Sequence, residues 1–166
     1  MKTFSLSLLA IIAISIWSTC GIKAIRFKQN CGGHLKRAAD ANTVDIAKSE
    51  LKIALDYMEA NNLTSGYTSV IYETPDEDVA FWYNNIKQSY NELNSLPDSS
   101  SSLEKSNMLI KLRETLLDHG DKSDTVTMPD GISRYPDNFT YGLLGLISVI
   151  LTLGIIVLIF LMIDNY

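Results

Sequence analysis

The sequence predicts an all-α membrane protein, in which an N-terminal and a C-terminal transmembrane helix flank a small antiparallel three-helix bundle. Three observations support this prediction. The chain has a charge-free apolar run near each end. The residues between the two runs are polar and show helical periodicity. The connections between the helical segments are short and polar, which favours antiparallel neighbours.

The C-terminal run, residues 141–163, is the stronger of the two membrane signals. It holds 23 residues and no charged side chain. A helix of that length spans about 34 Å, which exceeds the hydrocarbon core of about 30 Å. This segment is therefore predicted to be a transmembrane helix.

Residues 1–22 are predicted to form an N-terminal transmembrane helix or an uncleaved signal-anchor. The apolar run within them, residues 4–22, has 19 residues and is long enough to cross a bilayer. Two alternatives remain open. A cleavable secretory signal also begins with a basic residue and an apolar stretch, and a lipid on Cys20 would anchor a processed chain.

Residues 23–34 are a basic juxtamembrane segment. Lys23, Arg26 and Lys28 follow the first apolar run closely, and we expect them to contact lipid headgroups. The positive-inside tendency then places the middle of the chain on the cytoplasmic side, with two spans.

The middle of the chain is strongly acidic. Residues 38–140 carry 8 basic and 18 acidic side chains, which gives a net charge of −10. This balance argues against a nucleic-acid partner, whose affinity comes mainly from phosphate neutralisation. The two cysteines, Cys20 and Cys31, are too few for a disulfide framework and are expected to be free thiols.

Residues 35–120 are predicted to form the helical bundle domain. Residues 30–33 contain two glycines and are expected to break the chain. A first helix is predicted from near Leu35 to about Ala60. Its apolar stripe consists of Val44, Ala47, Leu51, Ala54, Leu55 and Met58.

The second and third helices are predicted from local capping signals. Residues 67–72 have no strand to pair with and are expected to be an extended linker packed on the helices. Thr74 then suits a helix cap and Pro75 the first helical position, so a second helix is predicted to run to about Leu96.

The third helix begins with a capping-box pattern at residues 101–104 and is predicted to end near His119. Residues 121–140 contain prolines and a glycine, and they are predicted to be an irregular tether leading into the second span.

The sequence offers little support for catalysis. The acids from Glu73 to Asp78 could hold a divalent cation, although a charged helix N-terminus explains them as well. Cys31 and His34 form half a metal site at most. No catalytic, metal-binding or cofactor-binding residue is predicted, and no cofactor is expected.

Aromatic residues concentrate in residues 66–85. Most of them are expected to be core, because a small bundle needs bulky anchors. Phe81 is the exception, since helical geometry places it on a polar face with Asn85. The predicted partner-binding residues are Tyr67, Tyr72, Phe81, Trp82 and Asn85.

These observations favour a non-enzymatic, membrane-anchored protein–protein interaction module. Such a module would contact membrane lipids and serve as a small subunit or assembly factor of a membrane complex, or form a homo-oligomer. One alternative is a membrane enzyme or metal-dependent protein that uses residues 73–78 with His34 or His119. Another is an exported single-span sensor or adhesion domain, in which Asn62 and Asn138 are candidate glycosylation sites.

Overall fold

The computed structural model describes residues 2–120 and 123–163, and these residues are mostly helical. Asp121 and Lys122, at the start of the predicted tether, lie outside the described residues. The elements in chain order are α1 (Lys2–Phe27), a π turn (Lys28–Gly32), α2 (Gly33–Ala39), α3 (Val44–Ala60), a 3₁₀ turn (Pro75–Glu77), α4 (Val79–Ser95), α5 (Ser102–Leu116), β1 (Leu117–Asp118), β2 (Thr125–Val126) and α6 (Asn138–Ile163).

The helical backbone continues without a break from α1 through the π turn into α2. The break predicted at residues 30–33 is therefore wrong. The amide of Gly33 donates to the carbonyl of Lys28, which is the five-residue spacing of a π turn. A Cβ atom on Gly33 would lie 2.8 Å from that carbonyl oxygen. The glycine therefore permits this turn instead of ending the helix.

Helix α3 presents the predicted apolar stripe to the core. The helix expected from Leu35 to Ala60 is interrupted before Val44, because Thr43 is extended and its side chain accepts a hydrogen bond from the Ile46 amide at 3.3 Å. The stripe itself is confirmed. Its buried members are Val44, Ala47, Leu51, Ala54, Leu55 and Met58.

Helices α2, α3, α4 and α5 pack around one hydrophobic core. Helix α4 runs antiparallel to α3, since the hydroxyl of Tyr83 near its start donates to Glu59 near the end of α3 at 2.5 Å. Helix α5 returns along α4, and Lys111 contacts Glu92 at 2.7 Å. Connections of this kind bring distant residues of the chain to one surface.

Helix α4 begins at Val79, four residues later than predicted. The predicted cap, Thr74, instead precedes the 3₁₀ turn, and its side chain accepts no hydrogen bond from a backbone amide. The actual cap is Asp78, whose carboxylate accepts hydrogen bonds from two amides of the first helical turn, at 2.8 and 3.1 Å.

The late start of α4 follows from a backbone pairing that the sequence did not indicate. Tyr67 and Asp78 form an isolated antiparallel bridge, and the amide of Thr68 donates to the carbonyl of Glu77 at 3.1 Å. This pairing keeps Asp78 extended. The linker at residues 67–72 therefore does have a backbone partner, contrary to the prediction.

Helix α5 begins with the predicted capping box, in which Ser101 and Glu104 bond to each other's backbone amides. It ends at Leu116 instead of near His119, because the chain turns into β1. Strand β1 pairs antiparallel with β2, and this two-residue ladder was not predicted.

The described part of the predicted tether packs against the helical domain. The carbonyl of Thr127 accepts a hydrogen bond from the Trp82 indole at 2.9 Å. The hydroxyl of Tyr135 donates to the carbonyl of Ser65 at 2.5 Å. These contacts fasten the chain to the domain just before it enters α6.

The rod that contains α1, and helix α6, are long and apolar enough to cross a membrane. The two helices pack along each other in antiparallel directions. Lys23 near the end of α1 contacts Asp137 just before α6 at 3.1 Å, and Ile16 shares a cavity with Leu144. Most of their described apolar side chains are exposed.

Candidate functional site

A groove of about 410 Å³ lies where the first turns of α4 meet the end of α5 and the chain after β2. Its floor is apolar and consists of Trp82, Ile86 and Leu116, all of them buried. The Trp82 indole is fixed by its hydrogen bond to the carbonyl of Thr127. The floor is therefore part of the hydrophobic core.

The rim of the groove is acidic. Four aspartates line it: Asp76, Asp78, Asp118 and Asp130. Among the described residues, no Lys, Arg or His lines the groove. The carboxylate of Asp78 also accepts two amide hydrogen bonds at the start of α4. The rim as a whole favours a positively charged ligand.

Phe81 stands at the edge of this groove and is 63% exposed. Its backbone amide is one of the two that bond to Asp78, so the helix cap sets its position. Asn85, one turn later, is half-buried and lines the same groove. An exposed aromatic side chain beside an apolar floor is suited to protein contact.

The structure separates the five predicted partner-binding residues into two places. Phe81, Trp82 and Asn85 line the groove, with Trp82 buried in its floor. Tyr67 lies in the backbone bridge to residue 78, and Tyr72 is exposed on the loop that follows it. Neither of these tyrosines is among the residues that line the groove.

One wall of the groove escaped the sequence analysis entirely. Thr115 and Asp118 come from the end of α5 and from β1, and residues 127–130 follow β2. In the sequence these residues lie about 30 to 50 positions from Phe81. The only local signal was the turn chemistry of Pro129 and Gly131, which marks a bend but not what the bend contacts.

The basic juxtamembrane residues lie at the junction between α1 and the domain. The ammonium group of Lys23 contacts Asp137 at 3.1 Å and lies 4.8 Å from the ring centre of Tyr141. Arg26 and Lys28 are exposed. Lys23 and Arg26 also line a cavity of about 260 Å³ with Tyr57. The headgroup contacts of these residues stay a prediction.

The two histidines have carboxylate partners within the fold. The ring of His34 contacts Glu50 at 2.6 Å, and the ring of His119 contacts Asp124 at 3.1 Å. Within residues 2–120 and 123–163, no three His, Cys, Asp or Glu side chains are grouped so that they could hold a metal ion. Within the acidic residues 73–78, the carboxylate of Glu77 accepts a hydrogen bond from the hydroxyl of Thr74.

The two cysteines are free thiols. Cys31 is fully buried in the core, and this burial raises the pKa of its thiol to about 12. A thiol with so high a pKa is not ionised at neutral pH, and it reacts slowly with labelling reagents.

Comparison with family models, with curated proteins and with solved structures finds no match to this chain.

Proposed function

We propose that this chain is a membrane-anchored helical interaction module, in which the acid-rimmed groove beside Phe81 binds a protein partner. The observation that carries the proposal is the combination of an exposed Phe81, a buried apolar floor and four rim carboxylates. A segment with one large apolar side chain and flanking Lys or Arg residues would complement all three features.

Membrane anchoring is the second part of the proposal. The described apolar side chains of α1 and α6 are largely exposed, and a contiguous apolar surface of this kind is normally covered in a soluble protein. In a bilayer, lipid chains would cover it. The helical domain formed by α2–α5 would then sit at the membrane surface, with Lys23, Arg26 and Lys28 at headgroup level.

The basic residues also support a sidedness. Five Lys or Arg residues follow the first apolar run within residues 23–37. Such a cluster favours retention on the cytoplasmic side, and both termini would then lie across the membrane. The module is a binding protein in this proposal, and no step of covalent chemistry is assigned to the groove.

Partner binding is tested by affinity capture from detergent and from nanodiscs, with wild-type protein, Phe81→Glu and the matched control Leu103→Glu. Leu103 is an exposed apolar residue near the start of another helix, α5. Loss of a hot-spot aromatic typically costs about 2 kcal/mol, so Phe81→Glu should weaken capture of the partner about 30-fold.

The proposal predicts that Leu103→Glu still captures the partner. It also predicts that high salt releases the partner from the wild-type protein, because salt screens the charges on the rim. Recovery of the protein alone, or equal capture by all three proteins, would refute the proposal. Recovery only of a second copy of this chain would assign the groove to a homo-oligomer.

Sidedness is tested by thiol labelling of Leu103→Cys in a Cys20→Ser background, since the native Cys31 is buried. Labelling only after permeabilisation, with Met1 retained, supports the two-span arrangement. Labelling of intact cells together with a new N-terminus near residue 20 would support the exported alternative. That outcome would also make the exposed Asn62 the glycosylation site to examine, because the Asn138 amide donates to the carbonyl of Thr68.

A further inference from the structure

The loop after the bridge at Tyr67 exposes three consecutive apolar or aromatic side chains. Val70 is 50% exposed, Ile71 is 81% exposed and Tyr72 is 75% exposed. Single exposed apolar residues are ordinary on a protein surface, whereas a contiguous group marks a contact site. None of the three residues lines the groove beside Phe81, so the partner proposed above does not explain them.

The base of this loop is fastened to the start of α6. The side-chain amide of Asn138, the first residue of α6, donates to the carbonyl of Thr68 at 2.5 Å. The hydroxyl of Tyr135 donates to the carbonyl of Ser65 at 2.5 Å, just before the loop. The loop therefore leaves the domain at the level where the chain enters the second apolar helix.

The distances suit contact with a bilayer that α6 crosses. From Asn138 to Tyr141, where the apolar run begins, a helix rises about 4.5 Å. From Thr68, three residues span at most about 10 Å, so Ile71 can reach that level. The headgroup layer on each side of a bilayer is about 5–8 Å thick.

We propose that Val70, Ile71 and Tyr72 insert into the interfacial layer of the membrane that α1 and α6 cross. This inference rests on the proposed membrane anchoring and assigns Tyr72 to lipid instead of to a protein partner. A tyrosine ring is favoured at the interface, where its apolar body and its hydroxyl both find suitable surroundings. Glu73, which follows the loop and is exposed, stays on the aqueous side.

Charge favours lipid over a second protein as the occupant. Lys23 and Arg26 end α1 beside the start of α6, and the Lys23–Asp137 contact fixes this level. These cations attract anionic headgroups to the level where α6 begins, and the base of the loop is bonded to that helix through Asn138. The loop, the basic residues and the two helices would then form one continuous membrane-facing surface.

The test places a fluorophore on the loop in single-copy nanodiscs of phosphatidylcholine and phosphatidylglycerol. Ile71→Cys is made in a Cys20→Ser background and labelled with an environment-sensitive nitrobenzoxadiazole dye. The matched control is Ile46→Cys, an exposed position on α3. Along that helix, residue 46 lies about 16 Å from Tyr57, which is near the basic residues.

We expect a blue-shifted emission at position 71 and at least about two-fold stronger quenching by lipids spin-labelled near the headgroup than at position 46. Trp17, exposed in α1, reports anchoring independently through quenching by brominated lipids in a Trp82→Phe background, which removes the other tryptophan. Quenching of Trp17 without quenching at position 71 overturns the loop proposal and leaves the anchoring in place.

Two other results would also overturn the proposal. Absence of quenching at both positions and at Trp17 would refute the anchoring together with the loop contact. A blue shift at position 71 that requires two copies per disc and is insensitive to lipid quenchers would assign the loop to an interface between copies. The triple variant Val70→Ser, Ile71→Ser, Tyr72→Ser should retain capture of the groove partner, because none of these residues lines the groove.

Discussion

The middle of the chain and its two apolar ends use the same residue types in opposite ways. Leu51 of α3 is fully buried among other helices, whereas Ile150 of α6 is 60% exposed. Helix α3 alternates its apolar stripe with charged residues, and α6 is apolar on every face. The comparison shows that the spacing of polar residues, more than apolar content, determines whether a helix packs into a protein core.

The largest expected effect separates these two uses of apolar side chains. Leu51→Ala should lower the free energy of unfolding of the domain by about 2–5 kcal/mol, because it leaves a cavity in a closed core. Ile150→Ala should change it by less than about 0.5 kcal/mol. Guanidinium unfolding in detergent, followed by Trp82 fluorescence, measures both values. Equal losses would mean that α6 belongs to the same cooperative unit.

The next effect concerns charged side chains. The domain contains a buried one, whereas the described part of α6 contains none. Glu50 is buried and contacts His34 and Arg37, each at 2.6 Å. Glu50→Ala should cost about 1–3 kcal/mol of unfolding free energy, since it removes a buried carboxylate from two partners.

The control for Glu50 is Asp56→Ala, which breaks an exposed pair with Lys52 on the same helix. Its expected cost is about 0.5 kcal/mol or less. The same denaturation experiment compares the two variants. A loss at Asp56 that equals the loss at Glu50 would show that burial does not set the strength of these contacts.

A smaller effect tests where the domain ends and the membrane pair begins. Trp82→Phe removes the indole hydrogen bond to Thr127 and should cost about 1 kcal/mol. Amide exchange in residues 125–128 should become about five-fold faster, with α6 unchanged. Tyr90→Phe, at a partly buried position on the same helix, is the control. Faster exchange in α6 would instead join the two regions into one unit.

The smallest expected effect is a dependence on pH confined to the domain. Hydrogen bonds from His119 and Arg113 hold the pKa of Asp124 below its usual value. Because the folded pKa is lower than the unfolded value of about 3.9, this contact stabilises the fold above that pH. Its contribution is lost as the pH falls through the folded pKa.

Asp124→Asn should therefore reduce the acid-side loss of amide-exchange protection around β1 and β2, measured relative to the intrinsic exchange rate at each pH, while α6 serves as an internal reference. The change should be modest, because Arg113 and His119 are solvent-exposed and Asp124 is only partly buried. An unchanged loss of protection in the variant would assign the acid sensitivity of this region to another carboxylate.

Local signals predicted local structure well. The stripe of α3 depends on residues three and four apart, and the capping box of α5 depends on Ser101 and Glu104 alone. Both could be seen in a short window of sequence. The two apolar helices were predictable for the same reason, since length and composition suffice to identify them as candidates to cross a membrane.

Features that depend on distant contacts were missed. Thr74 and Asp78 are both good helix caps, and the choice between them was made by the pairing of Asp78 with Tyr67, eleven residues earlier. Strands of two residues carry no detectable period, so β1 and β2 were not predicted. Phe81 and Asn85 were proposed as one surface, but its opposite wall depends on how α5 and the tether pack.

The unbroken rod from α1 through the π turn into α2 has a mechanical consequence. A flexible linker would let the domain swivel, whereas a helix that continues into the core transmits any tilt of α1 directly to Leu35 and its neighbours. The Lys23–Asp137 contact is a second connection between the domain and the two apolar helices, beside the continuous helix. Under the proposed anchoring, the groove is held at a fixed distance from the bilayer surface and in a fixed orientation relative to α1. A partner in the same membrane then approaches by lateral diffusion. The fixed orientation of the domain raises the effective concentration of the groove for correctly oriented partners.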